Sequence, residues 1–180
     1  MKVAGYYTGV GSRTTPPEIL TLMGYLAKQL AARKYIVRTG GADGADTAFA
    51  EAVPNTRVHL FLPYKGFNKL YRAHLAHPSL EAYTMASQAH PVWGRLTPGA
   101  KALHARNCHQ VLGRSLESPS DFLVCWTPDG CETEDERSTT TGGTGTAIVI
   151  ANRHGIPVFN LAKAGAHDRL QQHLANLEEL

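Results

Sequence analysis

The amino-acid sequence predicts an α/β fold: a single Rossmann-like domain in three layers, with a mainly parallel sheet of about five or more strands. Short β-prone segments alternate with helical segments along the chain, which favours parallel strands joined by helical crossovers. Three glycine-rich turns also lie between β-prone and helical segments, where parallel sheets usually bind ligands. The length of 180 residues suits one domain over residues 1–180.

Apolar patterning defines the expected elements. Short β-prone runs predict strands over residues 2–8, 35–38, 58–62, 121–126 and 156–161. A first helix is expected between the first two strands, where apolar residues recur at helical spacing over residues 19–30. Further helices are predicted over residues 45–53, 98–112, 142–152 and 166–177. Residues 64–97 show no clean periodicity, so no element is assigned to them.

Two Thr-Pro pairs indicate helix starts. Before the first helix, Thr15 is expected to cap, Pro16 to occupy the first helical position and Glu18 to complete a capping box. The second pair, Thr97 and Pro98, predicts the start of the helix over residues 98–112 in the same way.

Composition limits the classes of function. The net charge of +3 is compatible with an anionic ligand but is too small to predict nucleic-acid binding by itself. The three cysteines follow no metal-ligand spacing and no HExxH motif is present, so no metal site and no cofactor are predicted. No run of about eighteen apolar residues occurs, so no membrane span is expected. A reducing, cytoplasmic location is the expectation.

The three glycine-rich turns are the candidate phosphate site. They consist of Gly9, Gly11, Ser12 and Arg13; of Gly40, Gly41, Ala42, Asp43, Gly44 and Asp46; and of Gly142, Gly143, Thr144, Gly145 and Thr146. Glycine lets a phosphate approach the backbone, and free N–H groups at a helix N-terminus attract an anion. One such turn is equally typical of an ordinary strand-to-helix connection, whereas three at one sheet edge predict a shared crevice. The Walker pattern GxxxxGK[ST] is absent, so P-loop ATP hydrolysis is not indicated.

Charged side chains in the turns extend this prediction. A cation near a helix N-terminus opposes the helix dipole, so Arg13 is better explained by paired hydrogen bonds to a phosphate. Asp43 and Asp46 either stabilise the local backbone or bond a ribose hydroxyl, and the sequence leaves both roles open.

Two later segments contribute further candidates. Arg106 and Asn107 lie on the predicted helix over residues 98–112, although an arginine in a helix is most often a surface residue. Trp126 and Thr127 follow the fourth strand at the same sheet edge as the turns, and Trp126 either stacks on a base or packs in the core. The polar residues 128–141 then predict a mobile surface loop.

These motifs resemble known nucleotide-binding families. Gly9 to Arg13, followed by Thr39 to Asp46, is similar to the G-S-R and G-x-A-x-G-(I/A)-D turns of the DNA-processing protein A (DprA, or Smf) Rossmann core. Gly142 to Thr146 resembles the PGGxGTxxE motif of the LOG-type phosphoribohydrolases, which cleave nucleoside monophosphates, and Arg106-Asn107 resembles the arginine-containing helix of that family. Both families belong to the SLOG group of Rossmann-like domains. The resemblance extends from about Val3 to Leu161, and it is specific only in the turns.

The LOG motif is incomplete in this chain. Thr141 stands where the motif has proline, and Val149 stands where it has the catalytic glutamate. A nearby carboxylate stabilises the oxocarbenium-like transition state of N-glycosidic cleavage or activates the attacking water. Hydrolysis would therefore need a substitute, and the candidate catalytic residues are Asp43, Asp46, Asp129 and Arg106.

The sequence supports one main hypothesis and one alternative. The main hypothesis is a DprA/SLOG-like protein that binds a nucleotide or nucleotide-derived ligand and acts on single-stranded DNA or on a nucleotide signal, for instance as a recombination mediator. The alternative is a nucleotide N-glycosidase, of the phosphoribohydrolase or deoxyribosyltransferase type. Relatives of both kinds self-associate, so the resemblance also implies a homodimer.

Overall fold

The computed structural model describes residues 3–178, with a five-stranded sheet at its centre. The strands are β1 (Gly5–Gly9), β2 (Tyr35–Thr39), β3 (Val58–Leu60), β4 (Phe122–Cys125) and β5 (Val158–Asn160). All neighbouring strands pair in parallel, in the order β3-β2-β1-β4-β5. The predicted fold class, a Rossmann-like α/β domain with a parallel sheet, is confirmed.

Helices cover both faces of the sheet. They are α1 (Pro17–Ala32), α2 (Ala45–Glu51), α3 (Leu80–Ala89), α4 (Pro98–Leu112), α5 (Thr144–Arg153) and α6 (Ala166–Glu178). Successive side chains of a strand point to opposite faces, so the strands feed two separate cores. Tyr7 and Phe122 pack on one face with α1, α2 and α6, while Leu123 and Cys125 pack on the other with α3, α4 and α5. No helix within residues 3–178 is long and apolar enough to cross a membrane.

The start of α1 differs from the prediction. The helix begins at Pro17, and Pro16 is the cap residue without a side-chain hydrogen bond. The Thr15 hydroxyl instead donates to the Ser12 carbonyl at 2.6 Å, so Thr15 folds back onto the first glycine turn. The predicted capping box of Thr15 and Glu18 is therefore wrong. The cause is tertiary, because the turn uses the hydroxyl that would otherwise cap the helix.

Helix α3 lies in the segment for which the sequence predicted no element. The Ser79 hydroxyl caps it by accepting a hydrogen bond from the Ala82 amide at 3.2 Å. Its one leucine, Leu80, is 88% exposed. Its buried face consists of three alanines, Ala82, Ala86 and Ala89. Alanine is only weakly hydrophobic, so the buried face of this helix differs little in hydrophobicity from its exposed face. This explains why the sequence shows no helical periodicity here.

The other boundaries lie close to the predicted ones. Helix α4 has the predicted bounds, and the Thr97 hydroxyl accepts from the Ala100 amide as expected of a cap. Strand β3 ends at Leu60, and Phe61 then bridges to Leu75 outside the main sheet. Strand β1 begins at Gly5, and Lys2 of the predicted strand lies outside the described residues.

Candidate functional site

The candidate site is a cleft of about 390 Å³ at the carboxyl edge of the sheet. After β3 the chain crosses to the other side of β1 to form β4, so β1 and β4 flank the point where strand order switches. Clefts at such points are the usual ligand sites of parallel sheets. The predicted site residues that line it come from all three glycine turns and from α4: Gly11, Ser12, Arg13, Ala42, Asp46, Arg106, Asn107, Gly142, Gly143 and Thr144.

Several predicted glycines let parts of the protein approach each other rather than face the cleft. A Cβ on Gly9 would lie 2.7 Å from the Phe49 ring, so this glycine lets β1 pack against α2. Gly44 has a φ of 84°, and a Cβ there would lie 2.8 Å from the Ser12 carbonyl oxygen and 2.9 Å from the Arg13 Cα. The second turn can therefore touch the first only because residue 44 has no side chain.

Gly40 makes room for a buried arginine. A Cβ at Gly40 would overlap the Arg106 guanidinium. Arg106 Nη1 donates to the Gly40 carbonyl and lies 3.4 Å from the Phe61 carbonyl oxygen. The same nitrogen is 3.9 Å from Asp46 Oδ2, and both side chains are buried. Arg106 is therefore part of the floor of the cleft and not the surface residue that its sequence context alone would favour.

Burial governs the charges of this pair. It raises the pKa of the Asp46 carboxyl, while the Arg106 guanidinium and the Ala42 amide, 3.2 Å away, act in the opposite direction. Burial likewise lowers the pKa of Arg106, and Asp46 counters the shift. The charge of each group is thus the main factor that offsets the unfavourable burial of the other.

One face of α4 forms much of the cleft wall. Asn107 donates from Nδ2 to the Gly143 carbonyl at 2.8 Å and accepts from Arg106 Nε at 3.2 Å, so it connects α4 to the third turn. Gln110 is only 1% exposed, and within the described chain neither its carboxamide oxygen nor its nitrogen has a hydrogen-bond partner. Sequence reasoning missed Gln110, although it lies four residues after Arg106 and therefore on the same helix face.

Backbone amides add anion-binding capacity to the cleft. Within residues 3–178, the N–H groups of Gly11, Arg13 and Gly143 donate no hydrogen bond. Gly143 has helical dihedral angles, φ −62° and ψ −28°, and no atom lies within 4 Å of where its Cβ would be. Unpaired amides beside open space can bind a phosphate oxygen without any change in the protein.

The third turn is supported from behind by a chain of hydrogen bonds. Arg137 packs against Gly145, where a Cβ would lie 2.7 Å from its Nε. Its Nη2 donates to the Thr146 hydroxyl at 3.3 Å, and that hydroxyl is 2.8 Å from His104 Nδ1. Arg137, Thr146 and His104 thus form one hydrogen-bonded chain behind the third turn. His104 lines the cleft, and the sequence analysis did not select it.

We expect the free energy of unfolding to fall as the pH is lowered from about 6.5 to about 4. Burial, with His90 and Arg137 nearby, lowers the pKa of His104 from 6.5 to about 4. Between these pH values His104 is protonated in the unfolded chain but neutral in the folded chain. The stability that the fold has above pH 6.5 is therefore lost as the pH falls toward 4. One such group contributes a slope of up to about 1.4 kcal/mol per pH unit. Urea unfolding across the window measures it. The His104→Asn variant should show a shallower decline, and an equal decline in both proteins would contradict the assignment.

The segment over residues 128–141 is held by one carboxylate. Asp129 accepts hydrogen bonds from the hydroxyls of Thr127 at 2.8 Å, Ser138 at 2.7 Å and Thr141 at 2.5 Å. Burial alone would raise the pKa of Asp129, but these hydrogen bonds outweigh it and lower the pKa. Thr127 thus has a structural partner away from the cleft. The predicted mobility of the segment stays a prediction.

Three other predicted residues lie beside the cleft without lining it. Gly41, with a φ of 71°, packs under the Leu70 side chain. Asp43 accepts a hydrogen bond from Asn68 Nδ2 at 2.9 Å. Trp126 is half-buried against the core around α1, α2 and α6, and its carbonyl accepts from the Ser12 amide at 3.1 Å.

The carboxylates near the cleft bear on the LOG comparison. Thr144 and Ala147 of α5 line the cleft, whereas Val149 is buried in the core against α3 and α4. Among the lining residues of the described chain, Asp46 is the one carboxylate. The described residues also contain no cluster of three His, Cys, Asp or Glu side chains placed to hold a metal ion.

Comparisons with known proteins identify a related fold. No protein-family model matches the sequence, and no curated protein matches it. Among solved structures, the chain is similar to DNA processing protein A from Helicobacter pylori, a structure described for its single-stranded DNA binding mode. The two chains are 16% identical with a TM-score of 0.54, and the match covers 95% of this chain and 73% of that chain. The similarity shows that the fold is DprA-like.

Proposed function

We propose that the cleft binds the phosphate group of a nucleotide, either in a free nucleotide or nucleotide-derived molecule or in single-stranded DNA. The convergence of three glycine-containing turns on one cleft at the strand-order switch carries this proposal. Phosphate requires close backbone approach, free N–H groups and positive charge. Here the turns supply the first two, and Arg13 supplies positive charge that is unpaired within the described chain, with Arg106 beneath it in the cleft floor.

The structural neighbour supports the same conclusion. Helicobacter pylori DNA processing protein A binds single-stranded DNA, and this chain has a similar fold. The resemblance of the turns to the SLOG group, including the LOG-like GGTGT sequence of the third turn, adds a second line of support. On these grounds we propose that the chain belongs to the SLOG group. The homodimer implied by that group belongs to the same proposal and can be measured by sedimentation of the unliganded chain.

Arg13→Ala should weaken nucleotide binding by about 10- to 100-fold, because a hydrogen bond to a charged group contributes about 1.5–3 kcal/mol. Arg13 is exposed and forms no ion pair within the described chain, so the fold should be unaffected. Isothermal titration with thymidine and adenosine monophosphates and with a short oligodeoxythymidylate measures the affinities. An unchanged affinity for every ligand that binds would remove Arg13 from the site.

Gly143→Leu gives a second, steric test of the same site. The helical backbone and the open space at Gly143 accept a side chain without strain, but that side chain would occupy the cleft. Binding should fall by at least about tenfold, while the free energy of unfolding changes little. Gly99→Leu is the matched control, since Gly99 also has open space at the start of a helix but does not line the cleft. Equal affinities of the two variants would contradict the proposed phosphate position.

One observation favours the N-glycosidase as a second candidate function. Asp46 lines the cleft, and its burial raises the pKa of its carboxyl, as general acids require. Incubation with nucleoside monophosphates, followed by chromatography of the products, distinguishes the two functions. Release of free base that Asp46→Asn abolishes would assign an enzyme, and recovery of intact nucleotide by a chain that binds it would assign a binding protein.

A further inference from the structure

The loop that follows β3 exposes two aromatic side chains and three cations. We call residues 62–75 the tyrosine loop. Tyr64 is 51% exposed and Tyr71 is 76% exposed, although large aromatic rings are normally buried. The loop also exposes three basic side chains: Lys65, Lys69 and Arg72.

The charge of this stretch of the sequence has one sign. No aspartate or glutamate occurs between Glu51 and Glu81, a stretch that contains Arg57 and the three cations of the tyrosine loop. Within residues 3–178, none of those three cations forms an ion pair. Their positive charge is therefore available to a partner from solution.

The tyrosine loop is held in a fixed shape. The Leu62 amide donates to the Leu75 carbonyl at 2.9 Å and closes the loop at its base. Asn68 and Lys69 both have left-handed backbone angles, with φ of 51° and 61°, which non-glycine residues adopt at an energetic cost. The Asn68 side chain donates to the Gly41 carbonyl at 3.2 Å, so the loop is attached to the second glycine turn.

The tyrosine loop lies next to the cleft. The Tyr64 ring packs edge-on against Phe67, with centroids 5.4 Å apart, and the Arg106 guanidinium lies 6.0 Å from the Phe67 centroid. One buried ring therefore separates Tyr64 from the floor of the cleft. On the other side of the loop, Tyr71 lines a groove of about 790 Å³ that begins at Gly41. Lys69 and Arg72 line the same groove, with Glu51 of α2 opposite.

We propose that single-stranded DNA leaves the cleft across the tyrosine loop, with bases stacked on Tyr64 and Tyr71 and phosphates near Lys65, Lys69 and Arg72. The proposal rests on the proposed function, because the nucleotide in the cleft sets the position of the strand. Exposed rings interleaved with unpaired cations match the two requirements of a flexible strand, which are a flat apolar surface for each base and a positive charge for each phosphate. The groove then lengthens the site from one nucleotide to several.

Fluorescence anisotropy with a labelled oligodeoxythymidylate of about 12 nucleotides, beside titration with thymidine monophosphate, tests the proposal. Tyr71→Ala and Tyr64→Ala should each weaken binding of the oligomer by about 5- to 100-fold and leave the monophosphate affinity unchanged. Tyr71→Phe should retain oligomer binding, because stacking needs the ring and not the hydroxyl. Tyr25→Ala is the matched control, since Tyr25 is 56% exposed but lies on α1.

Salt dependence gives an independent readout. Each phosphate contact in single-stranded DNA contributes about 0.7 to the slope of log K against log salt. Lys69→Gln and Arg72→Gln should each lower the slope by about that amount for the oligomer. Lys28→Gln, a change of an exposed cation on α1, should leave the slope unchanged.

The outcomes separate the two proposals. Oligomer binding that is equal in wild type and in both tyrosine variants would overturn the role of the tyrosine loop and leave the cleft intact. Failure of wild type to bind either ligand would overturn both proposals. A tyrosine variant that changes the mass of the protein in solution without weakening oligomer binding would show that the loop joins copies of this chain. Tighter binding of an oligouridylate of the same length, titrated in parallel, would show that the strand is RNA.

Discussion

Replacing Arg106 by methionine should lower the free energy of unfolding by about 3–5 kcal/mol, the usual cost of removing one partner from a buried ion pair. The variant leaves the Asp46 carboxylate buried without its cation. It also removes the donor that serves the Gly40 and Phe61 carbonyl groups. Methionine fills much of the same volume, so the loss is electrostatic more than it is a cavity.

A double-mutant cycle shows whether the loss of stability comes from the pair of Arg106 and Asp46. Asp46→Asn in the Arg106→Met background removes the stranded charge and should restore part of the lost stability, with a coupling of more than about 1 kcal/mol. Urea unfolding of the four proteins measures it. Arg13→Met is the control, because Arg13 is exposed in the same cleft and its change should cost less than about 0.5 kcal/mol. If Arg106→Met lowered the free energy of unfolding equally in wild type and in Asp46→Asn, the result would contradict the pairing.

The same residues connect stability with the site. Arg106 contacts Gly40 and Asp46 in the second turn, and through Asn107 it is linked to Gly143 in the third. The floor of the cleft is therefore fixed before any ligand arrives. Such preorganisation lowers the free-energy cost of binding, because the charged side chains are already ordered when the ligand binds.

The sequence predicted the strands and the turns because their signals are local. A β-prone run is recognised within a few consecutive residues, and five of the predicted runs form the sheet. What a glycine does there is not local. The place of a Cβ is open space at Gly143 and is occupied by protein atoms at Gly9, Gly40 and Gly44, and only the tertiary contacts distinguish them.

The residues that were missed depend on the assembled fold. Gln110 appears in the cleft only when α4 packs over the second turn, and α3 becomes evident only when its alanine face meets α4 and α5. The exposure of Tyr64 and Tyr71 likewise has no signature in their neighbours, since aromatic residues in a loop are usually buried. Where a segment has no apolar periodicity, propensity and spacing do not indicate which side chains are finally covered.

Gly44→Ala should lower the free energy of unfolding by about 2–6 kcal/mol, from two causes of about 1–3 kcal/mol each. The first is backbone strain, because Gly44 has φ 84° and ψ −121°, a conformation that side chains rarely permit. The second is contact, because the new Cβ would meet the Ser12 carbonyl oxygen at 2.8 Å. Urea unfolding gives the total.

Gly155→Ala separates the two causes. Gly155 has a φ of 67° and nothing within 4 Å of a Cβ, so alanine there brings strain of about 1 kcal/mol without contact. The excess loss in Gly44→Ala then measures the cost of pushing the second turn away from the first, together with the greater backbone strain at φ 84° and ψ −121°. Because those turns form adjacent walls of the cleft, the folded fraction of Gly44→Ala should also bind nucleotide more weakly, whereas Gly155→Ala should bind as wild type does. Equal losses of stability in the two variants would mean that the turns separate freely, and a cleft whose walls separate freely could not hold a phosphate between them.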